Sequence, residues 1–202
     1  MKAIKSKKPD FSLVLPCYNE STHIDKSIKE IVKTIEMSKL SYEIILIDDK
    51  SKDNTPKHIK NIVKAYKYIQ GFFHKKNIGR GGTVKDGILK AKGKVVGFID
   101  IDLEVSPVYI PYFVGKILDG RVDIAIGHRT YREALSSLPR AILSRGYSFL
   151  VRKVLGVQLN DTETGYKFFN RRKIVPLLEK IKNHRWFWDT EIMTYAYYQK
   201  LK

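Results

Sequence analysis

Acidic side chains follow two of the apolar segments in this chain, at a spacing that suits a metal ion and a phosphorylated ligand. Asp100-Ile101-Asp102 ends one such segment, and Glu104 follows two residues later. On a strand, the first two carboxylates would point to opposite faces, but at a strand end the chain can turn both toward one site. Two hard oxygen ligands near a diphosphate suit Mg²⁺ or Mn²⁺, with phosphate oxygens and water completing the shell. An isolated Asp-x-Asp can also be a solvated acidic loop. The position of this one after a buried strand favours a metal site.

The second acidic segment and a tyrosine are candidates for contacts with a nucleoside. Asp48-Asp49 ends its own apolar segment, and a carboxylate there can accept hydrogen bonds from a base or a ribose. Tyr18, which follows the first apolar segment, can stack on a nucleobase. Asp53 and Thr55 are typical helix-capping residues, and a lone tyrosine more often serves packing.

The glycine-rich segment Gly79-Arg80-Gly81-Gly82 matches neither of the common nucleotide-binding motifs. Val84 stands where the dinucleotide fingerprint needs its last glycine, and Ile88 stands where a P-loop needs its lysine. What remains is a tight turn whose amides and helix start can face a phosphate, with Arg80 beside it. A purely structural turn is the alternative interpretation.

Short apolar segments alternate with segments of helical periodicity, which predicts an α/β fold. Ile24, Ile28, Ile31, Val32 and Ile35 form one helical stripe. In open sheets of this kind the ligand crevice lies at the carboxyl ends of the strands, where the polar residues above are found. From residue 129 onward the sequence predicts mostly helix, with a short apolar patch at 166–169. Thr22 with Asp25 predicts a capping box for the first helix, Pro56 opens the second, and strands are expected at 11–15, 42–47, 69–73, 94–99 and 122–126.

The charge balance indicates an anionic partner. The chain carries 38 Lys and Arg against 21 Asp and Glu, a net charge of +17, which suits nucleic acid, acidic lipid head groups or phosphorylated substrates. A solvated lysine-rich surface is the alternative. Tyr and Phe fall mainly on the predicted core faces and not among the basic runs, so we expect no nucleic-acid binding.

Cysteine usage and hydropathy set further bounds. Cys17 is the only cysteine, which excludes an internal disulfide and a cysteine-based zinc site. No apolar run reaches the ~20 residues needed to cross a bilayer, and the lysine-rich start does not resemble a secretory signal. We therefore expect a cytoplasmic protein.

Taken together, in this order and at this spacing, the motifs resemble glycosyltransferase family 2. The resemblance covers residues 11 to about 200, and its later segments are most similar to the polyprenyl- and dolichyl-phosphate glucosyltransferases and mannose synthases. The segments are Val14-Leu-Pro-Cys-Tyr-Asn-Glu20, Asp48-Asp-Lys-Ser-Lys-Asp-Asn-Thr55, Asn77-Ile-Gly-Arg-Gly-Gly82, Asp100-Ile-Asp102, Gly127-His-Arg129, Ser144-Arg145-Gly146, Asp161-Thr-Glu-Thr-Gly-Tyr-Lys167 and Arg185-Trp-Phe-Trp-Asp-Thr-Glu191.

The resemblance implies the GT-A fold, a Rossmann-like α/β fold with a mixed, mostly parallel sheet flanked by helices. It also implies an inverting transfer of a hexose from a nucleotide-diphosphate sugar of the UDP-glucose or GDP-mannose type. On the donor side it assigns Asp100 and Asp102 to the metal and the diphosphate, with Glu104 close to the metal. The remaining donor-side residues are Pro16, Tyr18, Glu20 and Asp49 at the nucleoside, and we add Arg80 from the glycine-rich turn.

On the acceptor side, Arg129, Ser144 and Arg145 match residues that receive the phosphate of a polyprenyl or dolichyl phosphate. A phosphate monoester has a second pKa of ~6 and arrives as an anion, so guanidinium groups must offset repulsion between two anions. Asp161 and Asp189 compete for the role of a catalytic base or an acceptor-orienting carboxylate. Asp161 matches the family aspartate near the reacting centre and is preferred, whereas Asp189 is also explained as an acidic residue at a helix start.

Two departures from the family pattern bear on the domain organisation. His128 stands where the family usually has a small residue, and the segments expected after Lys202 are absent. We expect a basic segment at 1–10 and one GT-A domain at 11–202 that lacks a natural C-terminal extension. The basic surface would bind the anionic cytoplasmic face of a membrane, at ~1 kcal/mol per residue. The alternatives are a family 2 enzyme that extends a polysaccharide or glycan, and a non-catalytic nucleotide-binding module.

Overall fold

The computed structural model describes residues 8–127, Lys153 and residues 164–202. Within them, six strands form one mixed sheet in the order β3-β2-β1-β4-β6-β5. The first four strands of the chain run parallel, while β6 is antiparallel to both of its neighbours. The strands are β1 (Phe11–Cys17), β2 (Tyr42–Asp48), β3 (Ile69–Phe73), β4 (Val95–Ile99), β5 (Ile124–Ile126) and β6 (Tyr166–Asn170).

The helices of the described residues cover both faces of this sheet. One core contains Phe11, Leu13 and Leu15 of β1 with α1, α2 and α4, and the other contains Val14 with α3, α5 and α6. Alternate residues of one strand therefore enter opposite cores, which explains why the central strands are apolar throughout. The helices are α1 (Ile24–Met37), α2 (Thr55–Ala65), α3 (Arg80–Lys90), α4 (Ile110–Leu118), α5 (Arg171–Leu178) and α6 (Trp188–Tyr198), with a short 3₁₀ turn at Pro107–Tyr109.

The α/β fold with a mixed, mostly parallel sheet is confirmed, and so is the apolar stripe of α1, whose five predicted residues are all buried. The capping box is wrong. The helix is preceded by His23, which makes no side-chain capping bond, and the amides of His23 and Ile24 donate to the Glu20 carbonyl instead. Asp25 meets the His58 ring of α2, with 2.6 Å between Oδ2 and Nδ1.

Strand β6 is the main element that the sequence analysis did not predict, because it gave residues 166–169 only as an apolar patch. Lys167 interrupts the apolar run, yet this lysine is fully buried with its neighbours. The strand lies between β4 and β5, and the ring of Phe168 takes the space beside Gly97, where a Cβ would lie 2.2 Å from Cδ1. Such pairing depends on long-range packing, which local periodicity does not reveal.

No helix in the described ranges has the length and apolar character required to span a bilayer.

The packing of α3 on β1 can be tested at a glycine. A Cβ at Gly87 would lie 2.3 Å from Cγ1 of Val14, a stiff residue of the central strand. We expect Gly87→Ala to lower the free energy of unfolding by about 1–3 kcal/mol through overpacking. Gly115→Ala in α4 is the matched control, because a Cβ there meets nothing within 4 Å, and alanine should raise helix stability by up to about 1 kcal/mol. Urea denaturation measures both, and equal midpoints for the two variants would contradict the close approach of α3 to β1.

Candidate active site

The carboxyl ends of β1, β2 and β4 lie side by side, because these three strands are adjacent and parallel. The segments that follow them surround one cleft of about 420 Å³. All of the predicted donor-side residues except Glu104 line it. The lining residues are Pro16, Cys17, Tyr18, Glu20, Asp49, Asn77, Gly79, Arg80, Thr83, Asp100, Ile101, Asp102, Arg185 and Trp186.

A left-handed residue turns the chain after each of these strands. Asn19, Lys50 and Leu103 have φ values of 59°, 63° and 56°, a conformation that is uncommon outside glycine. After β4, the Leu103 amide donates to the Asp100 carbonyl at 3.3 Å. This turn brings Asp100 and Asp102 to the same cleft, as expected for carboxylates at a strand end and not within a strand.

The segments after β1 and β2 are joined by hydrogen bonds that shape the part of the cleft lined by Tyr18, Glu20 and Asp49. The Asn19 amide donates to Ser51 Oγ at 2.9 Å, and the Glu20 amide donates to Thr55 Oγ1 at 2.7 Å. Asp53 accepts from the amides of Ser21 and Thr55. Burial raises the pKa of Asp53, but these hydrogen bonds outweigh it and hold the pKa below its usual range. Asp53 and Thr55 thus connect two loops, beyond the helix-capping role that the sequence suggests.

Asp49 fixes the glycine-rich turn at the start of α3. Its carboxylate is almost fully buried and accepts from the amides of Ile78 and Gly79, each at 2.9 Å. Gly79 has a φ of 87°, and a Cβ there would lie 2.7 Å from the His184 carbonyl oxygen. The tight turn predicted from the sequence is therefore present, and α3 begins directly after it at Arg80.

His74 had no role in the sequence analysis, and it supports the cleft from behind through Asp49, without lining the cleft itself. Its Nδ1 lies 2.9 Å from Asp49 Oδ1, and its Nε2 lies 3.2 Å from Asp86 Oδ2. A ring that donates from both nitrogens satisfies both carboxylates, since carboxylates only accept. Asp86 also pairs with Lys90 at 3.4 Å. The one feature of the sequence that points to His74 is its position. It directly follows β3, whose carboxyl end lies at the same edge of the sheet as the cleft.

Arg80 lies between two carboxylates. Its Nε and Nη2 approach Asp100 Oδ1 at 2.9 and 2.7 Å, and its Nη1 approaches Asp189 Oδ2 at 2.7 Å. Burial lowers the pKa of Arg80, but Asp189 and Asp100 outweigh it and raise the pKa, so the guanidinium stays charged. Arg80 lines the cleft as predicted, with its fork turned toward protein carboxylates.

Asp189 is held by two buried ion pairs. It begins the last helix as predicted, but it is 1% exposed and does not line the cleft. One carboxylate oxygen pairs with Arg80, and the other lies 2.6 Å from Lys167 Nζ. Because both oxygens are in buried ion pairs, the structure argues against Asp189 as the catalytic base.

The acidic residues of the cleft suit an ion that arrives with its substrate. Burial raises the pKa of Glu20, and the charges of Asp102 and Asp100 raise it further. Burial also raises the pKa of Asp100, against the opposing effect of Arg80. A divalent cation would relieve this concentration of negative charge, and Mg²⁺ is usually held by one or two carboxylates together with substrate phosphates.

The described residues contain no group of three or more His, Cys, Asp and Glu side chains that could hold a metal ion by themselves. Glu104 does not line the cleft, and its amide donates to Asp102 Oδ1 at 3.2 Å. Glu104 therefore does not share the cleft with Asp100 and Asp102 in this structure, and its contact with a metal stays a prediction.

Two further aromatic and basic residues of the cleft had no role in the sequence analysis. Trp186 is 73% exposed at the cleft, and the Arg80 guanidinium lies 5.9 Å from its ring centre. Arg185 adds a second guanidinium to the lining. Both residues belong to the motif at 185–191, which the sequence analysis identified, but that analysis assigned no function to these two side chains.

Four predicted residues of the acceptor side, Arg129, Ser144, Arg145 and Asp161, lie outside the described residues, as does His128.

Residues 12–177 match the family model described as "Glycosyl transferase family 2". The chain belongs to this family. Among curated proteins, this family 2 chain is 29% identical over 191 residues to glycosyltransferase AglD of Haloferax volcanii, covering 93% of the chain and 31% of AglD. It is 31% identical over 205 residues to a dolichyl-phosphate beta-glucosyltransferase of Dictyostelium discoideum, covering 94% of the chain and 62% of that protein. The chain thus spans less than two thirds of the length of these relatives.

Solved structures support the fold of this family 2 chain. Glucosyl-3-phosphoglycerate synthase of Mycobacterium tuberculosis, in complex with Mg²⁺ and UDP, superposes with a TM-score of 0.71 at 19% identity, covering 95% of this chain and 66% of that one. The mannosyltransferase PcManGT of Pyrobaculum calidifontis, in complex with GDP-Man and Mn²⁺, gives 0.58 at 16% identity, covering 87% and 47%. At these identities the likeness establishes the fold alone, and the GT-A expectation is confirmed.

His74 provides a test of the nucleoside end of the cleft. His74→Ala removes one partner of Asp49, and the loss of a charge-assisted bond of about 1.5 kcal/mol corresponds to a roughly tenfold weaker affinity for UDP or GDP with Mn²⁺. Isothermal titration calorimetry measures the affinity of each variant for UDP or GDP in the presence of Mn²⁺. His58→Ala is the matched control, since His58 also pairs with an aspartate, Asp25, but Asp25 does not line the cleft as Asp49 does. Equal affinities for the two variants would show that His74 does not support the nucleoside site.

Proposed function

We propose that this chain is the catalytic domain of an inverting, metal-dependent glycosyltransferase that transfers a hexose from a nucleotide-diphosphate sugar to a polyprenyl or dolichyl phosphate. The observation that carries this proposal is the single cleft at the carboxyl ends of β1, β2 and β4. Tyr18, Glu20 and Asp49 line the same cavity as Asp100 and Asp102. Candidate nucleoside contacts and candidate diphosphate contacts thereby line one cavity.

On the donor side, we assign the nucleoside to Pro16, Tyr18, Glu20 and Asp49. Tyr18 is partly exposed beside the cleft and offers a ring face for a base. Asp100 and Asp102 would hold Mg²⁺ or Mn²⁺, which when bound supplies Lewis-acid stabilisation of the charge that develops on the departing diphosphate.

The solved relatives support the class of donor. The mycobacterial synthase is described in complex with Mn²⁺ and UDP-glucose, and the archaeal mannosyltransferase with Mn²⁺ and GDP-Man. Either a uridine or a guanosine donor is compatible with the lining of this cleft, which offers a tyrosine ring and carboxylates to the base and ribose.

The guanidinium groups of the cleft serve the leaving group in this proposal. Arg80 and Arg185 both line the cavity, and fixed cations near a developing anion lower the barrier without reorganising in the reaction. Arg80 is already committed to Asp100, so it acts by fixing the carboxylate, while Arg185 is placed to meet phosphate oxygens directly.

On the acceptor side, we assign the lipid-linked phosphate to Arg129, Ser144 and Arg145. An ionised phosphate oxygen attacks the anomeric carbon as the bond to the diphosphate oxygen breaks, so the configuration inverts and the nucleoside diphosphate leaves. The nucleophile needs no deprotonation, and Asp161 would orient the acceptor instead of acting as an obligatory base. The curated dolichyl-phosphate beta-glucosyltransferases support this acceptor class.

Such an acceptor places the enzyme at a membrane surface. The net charge of +17 suits the anionic cytoplasmic face, where each basic residue near the surface contributes about 1 kcal/mol. Because salt screens this attraction, co-sedimentation with anionic vesicles at low and high salt is its direct measurement.

Donor and metal binding are tested at Asp102. UDP or GDP should raise the melting temperature only when Mn²⁺ or Mg²⁺ is present, and Asp102→Ala should abolish that gain. The exposed position of Asp102 predicts that the melting temperature without ligand stays nearly unchanged. Glu104→Ala is the matched control, because it removes a carboxylate two residues away that does not line the cleft. A nucleotide-dependent gain that survives in Asp102→Ala would refute the assignment.

The acceptor class is tested at Arg129 and Arg145. Arg129→Lys or Arg145→Lys keeps the charge but loses the planar fork, so the apparent KM for polyprenyl phosphate should rise about tenfold or more while donor binding stays unchanged. Asp161→Asn should slow turnover without a steep gain in rate as pH rises.

The opposite pattern identifies a different acceptor. Normal acceptor use by the arginine variants, together with an inactive Asp161→Asn that high pH rescues, would indicate a sugar hydroxyl as the nucleophile. The chain would then belong with the glycan-extending enzymes of the family. A version with the full length of the dolichyl-phosphate relatives is the appropriate enzyme for this assay.

A further inference from the structure

Four charged residues form a continuous chain of ion pairs that ends at the diphosphate end of the cleft. Lys167 Nζ lies 2.6 Å from Asp189 Oδ1, and Asp189 Oδ2 lies 2.7 Å from Arg80 Nη1. Arg80 in turn reaches Asp100 Oδ1 with two nitrogens, at 2.7 and 2.9 Å. The chain connects β6, α6, α3 and the end of β4, so elements far apart in sequence meet at one carboxylate.

Lys167 and Asp189, the two ion-paired residues farthest from the cleft, are buried at positions where the fold alone would favour apolar side chains. Lys167 is 0% exposed, and its neighbours Tyr166, Phe168 and Phe169 are buried apolar side chains. A buried ion pair seldom stabilises a fold more than well-packed hydrophobic residues of similar volume, because both charges lose their hydration. The stability of the fold therefore does not explain why a lysine occupies this buried position.

The reason lies in the charges that each residue offsets. Without a second cation, the buried Asp189 would compete with Asp100 for the single charge of Arg80. Lys167 pairs with Asp189, so the two formal charges cancel and the charge of Arg80 remains available to Asp100. The Lys167 ammonium also donates to the Thr164 carbonyl, which holds it at the start of β6.

The other carboxylate oxygen of Asp100, Oδ2, occupies space that is open only because residue 165 is a glycine. A Cβ at Gly165 would lie 1.7 Å from Asp100 Oδ2, and the Asp100 amide donates to the Gly165 carbonyl at 3.1 Å. Gly165 does not have a positive φ, so the requirement for glycine here is space and not backbone conformation. The carboxylate is thus confined between the Arg80 fork on one oxygen and the Gly165 backbone beside the other.

We propose that Lys167, Asp189 and Gly165 are positioning residues that hold Arg80 and Asp100 in the arrangement that receives a divalent cation and a nucleoside diphosphate. The three residues do not line the cleft and act through the two that do. This inference rests on the proposed donor and metal site. It gives Asp189 a role in orienting the metal-binding carboxylate, in place of the predicted role as a base.

The test measures Mn²⁺ binding directly, by electron paramagnetic resonance of the free ion in the presence of saturating UDP or GDP. Asp189→Asn keeps the shape of the side chain but removes its charge, and Gly165→Ala displaces Asp100 without any change of charge. Each should raise the apparent Kd for Mn²⁺ at least tenfold. Lys173→Met is the control, because it breaks another lysine–aspartate pair, with Asp123 at 2.7 Å, whose members do not line the cleft. It should leave the Kd within twofold.

A double-mutant cycle separates positioning from general destabilisation. Lys167→Met should weaken Mn²⁺ binding in the otherwise unchanged protein, but it should add little in the Asp189→Asn background, because the two residues act in series. Additive losses would overturn the proposal. Should either buried variant fail to fold, Gly165→Ala and Arg80→Lys decide the question. Arg80→Lys loses the fork on Asp100 and leaves the Lys167–Asp189 pair in place.

The outcomes distinguish this inference from the function on which it rests. If the unaltered chain binds Mn²⁺ with UDP or GDP and the folded variants bind it within twofold, the positioning role is wrong and the proposed donor site stands. If the unaltered chain binds no nucleoside diphosphate with metal, the proposed function fails and the positioning role fails with it.

Discussion

The placement of Arg80 between Asp100 and Asp189 is the interaction on which the geometry of the site depends. A guanidinium is planar and can serve two carboxylates at once, which an ammonium at the same position would do without fixing their relative orientation. The guanidinium also lies over two aromatic rings, since its carbon is 5.4 Å from the centre of the Phe98 ring and 5.9 Å from that of Trp186. Arg80 can reach both partners only because α6 packs closely on the start of α3. A Cβ at Gly81 would lie 2.3 Å from Cβ of Trp188, so the glycine directly after Arg80 permits the close approach of these two helices.

The local charge of the cleft is opposite to the charge of the chain. The protein carries +17, yet Glu20, Asp100 and Asp102 approach one another closely enough that repulsion contributes to the raised pKa of Glu20. An acidic cleft repels a nucleotide sugar unless a cation is bound with it, so metal and donor binding should be coupled. The basic surface acts at longer range and is open to screening by salt, whereas the partly buried carboxylates are screened much less. Under the proposed function, the basic surface and the acidic cleft serve different partners: the surface binds the membrane, and the cleft binds the metal with the diphosphate.

The elements that the sequence predicted well are those that local periodicity determines. The strand ends that carry Tyr18, Asp49 and Asp100 were found because apolar runs and the polar residues after them are adjacent in sequence. The interactions that were missed join distant residues: Arg80 and Asp189 are separated by 109 positions, and Lys167 and Asp189 by 22. A lysine inside a strand interrupts the apolar pattern and conceals β6, although that lysine is buried because of its partner. Glu104 does not line the cleft, and the left-handed residue Leu103 that stands between it and Asp102 is not evident from the local sequence pattern.

The burial of Asp189 also bears on the nature of the acceptor. A transferase that activates a sugar hydroxyl needs a carboxylate with a free oxygen facing the acceptor. Among the described residues that line the cleft, Asp49 is held by two amides and a histidine, and Asp100 is held by Arg80. Glu20 and Asp102 lie in the acidic group assigned to the donor, and Asp189 is engaged with two cations away from the cavity. Under the proposed function, the acidic side chains of the described cleft hold a cation and a leaving group. An acceptor that arrives already ionised makes no demand for a further base, so the described part of the cleft is compatible with the phosphate acceptor that we propose.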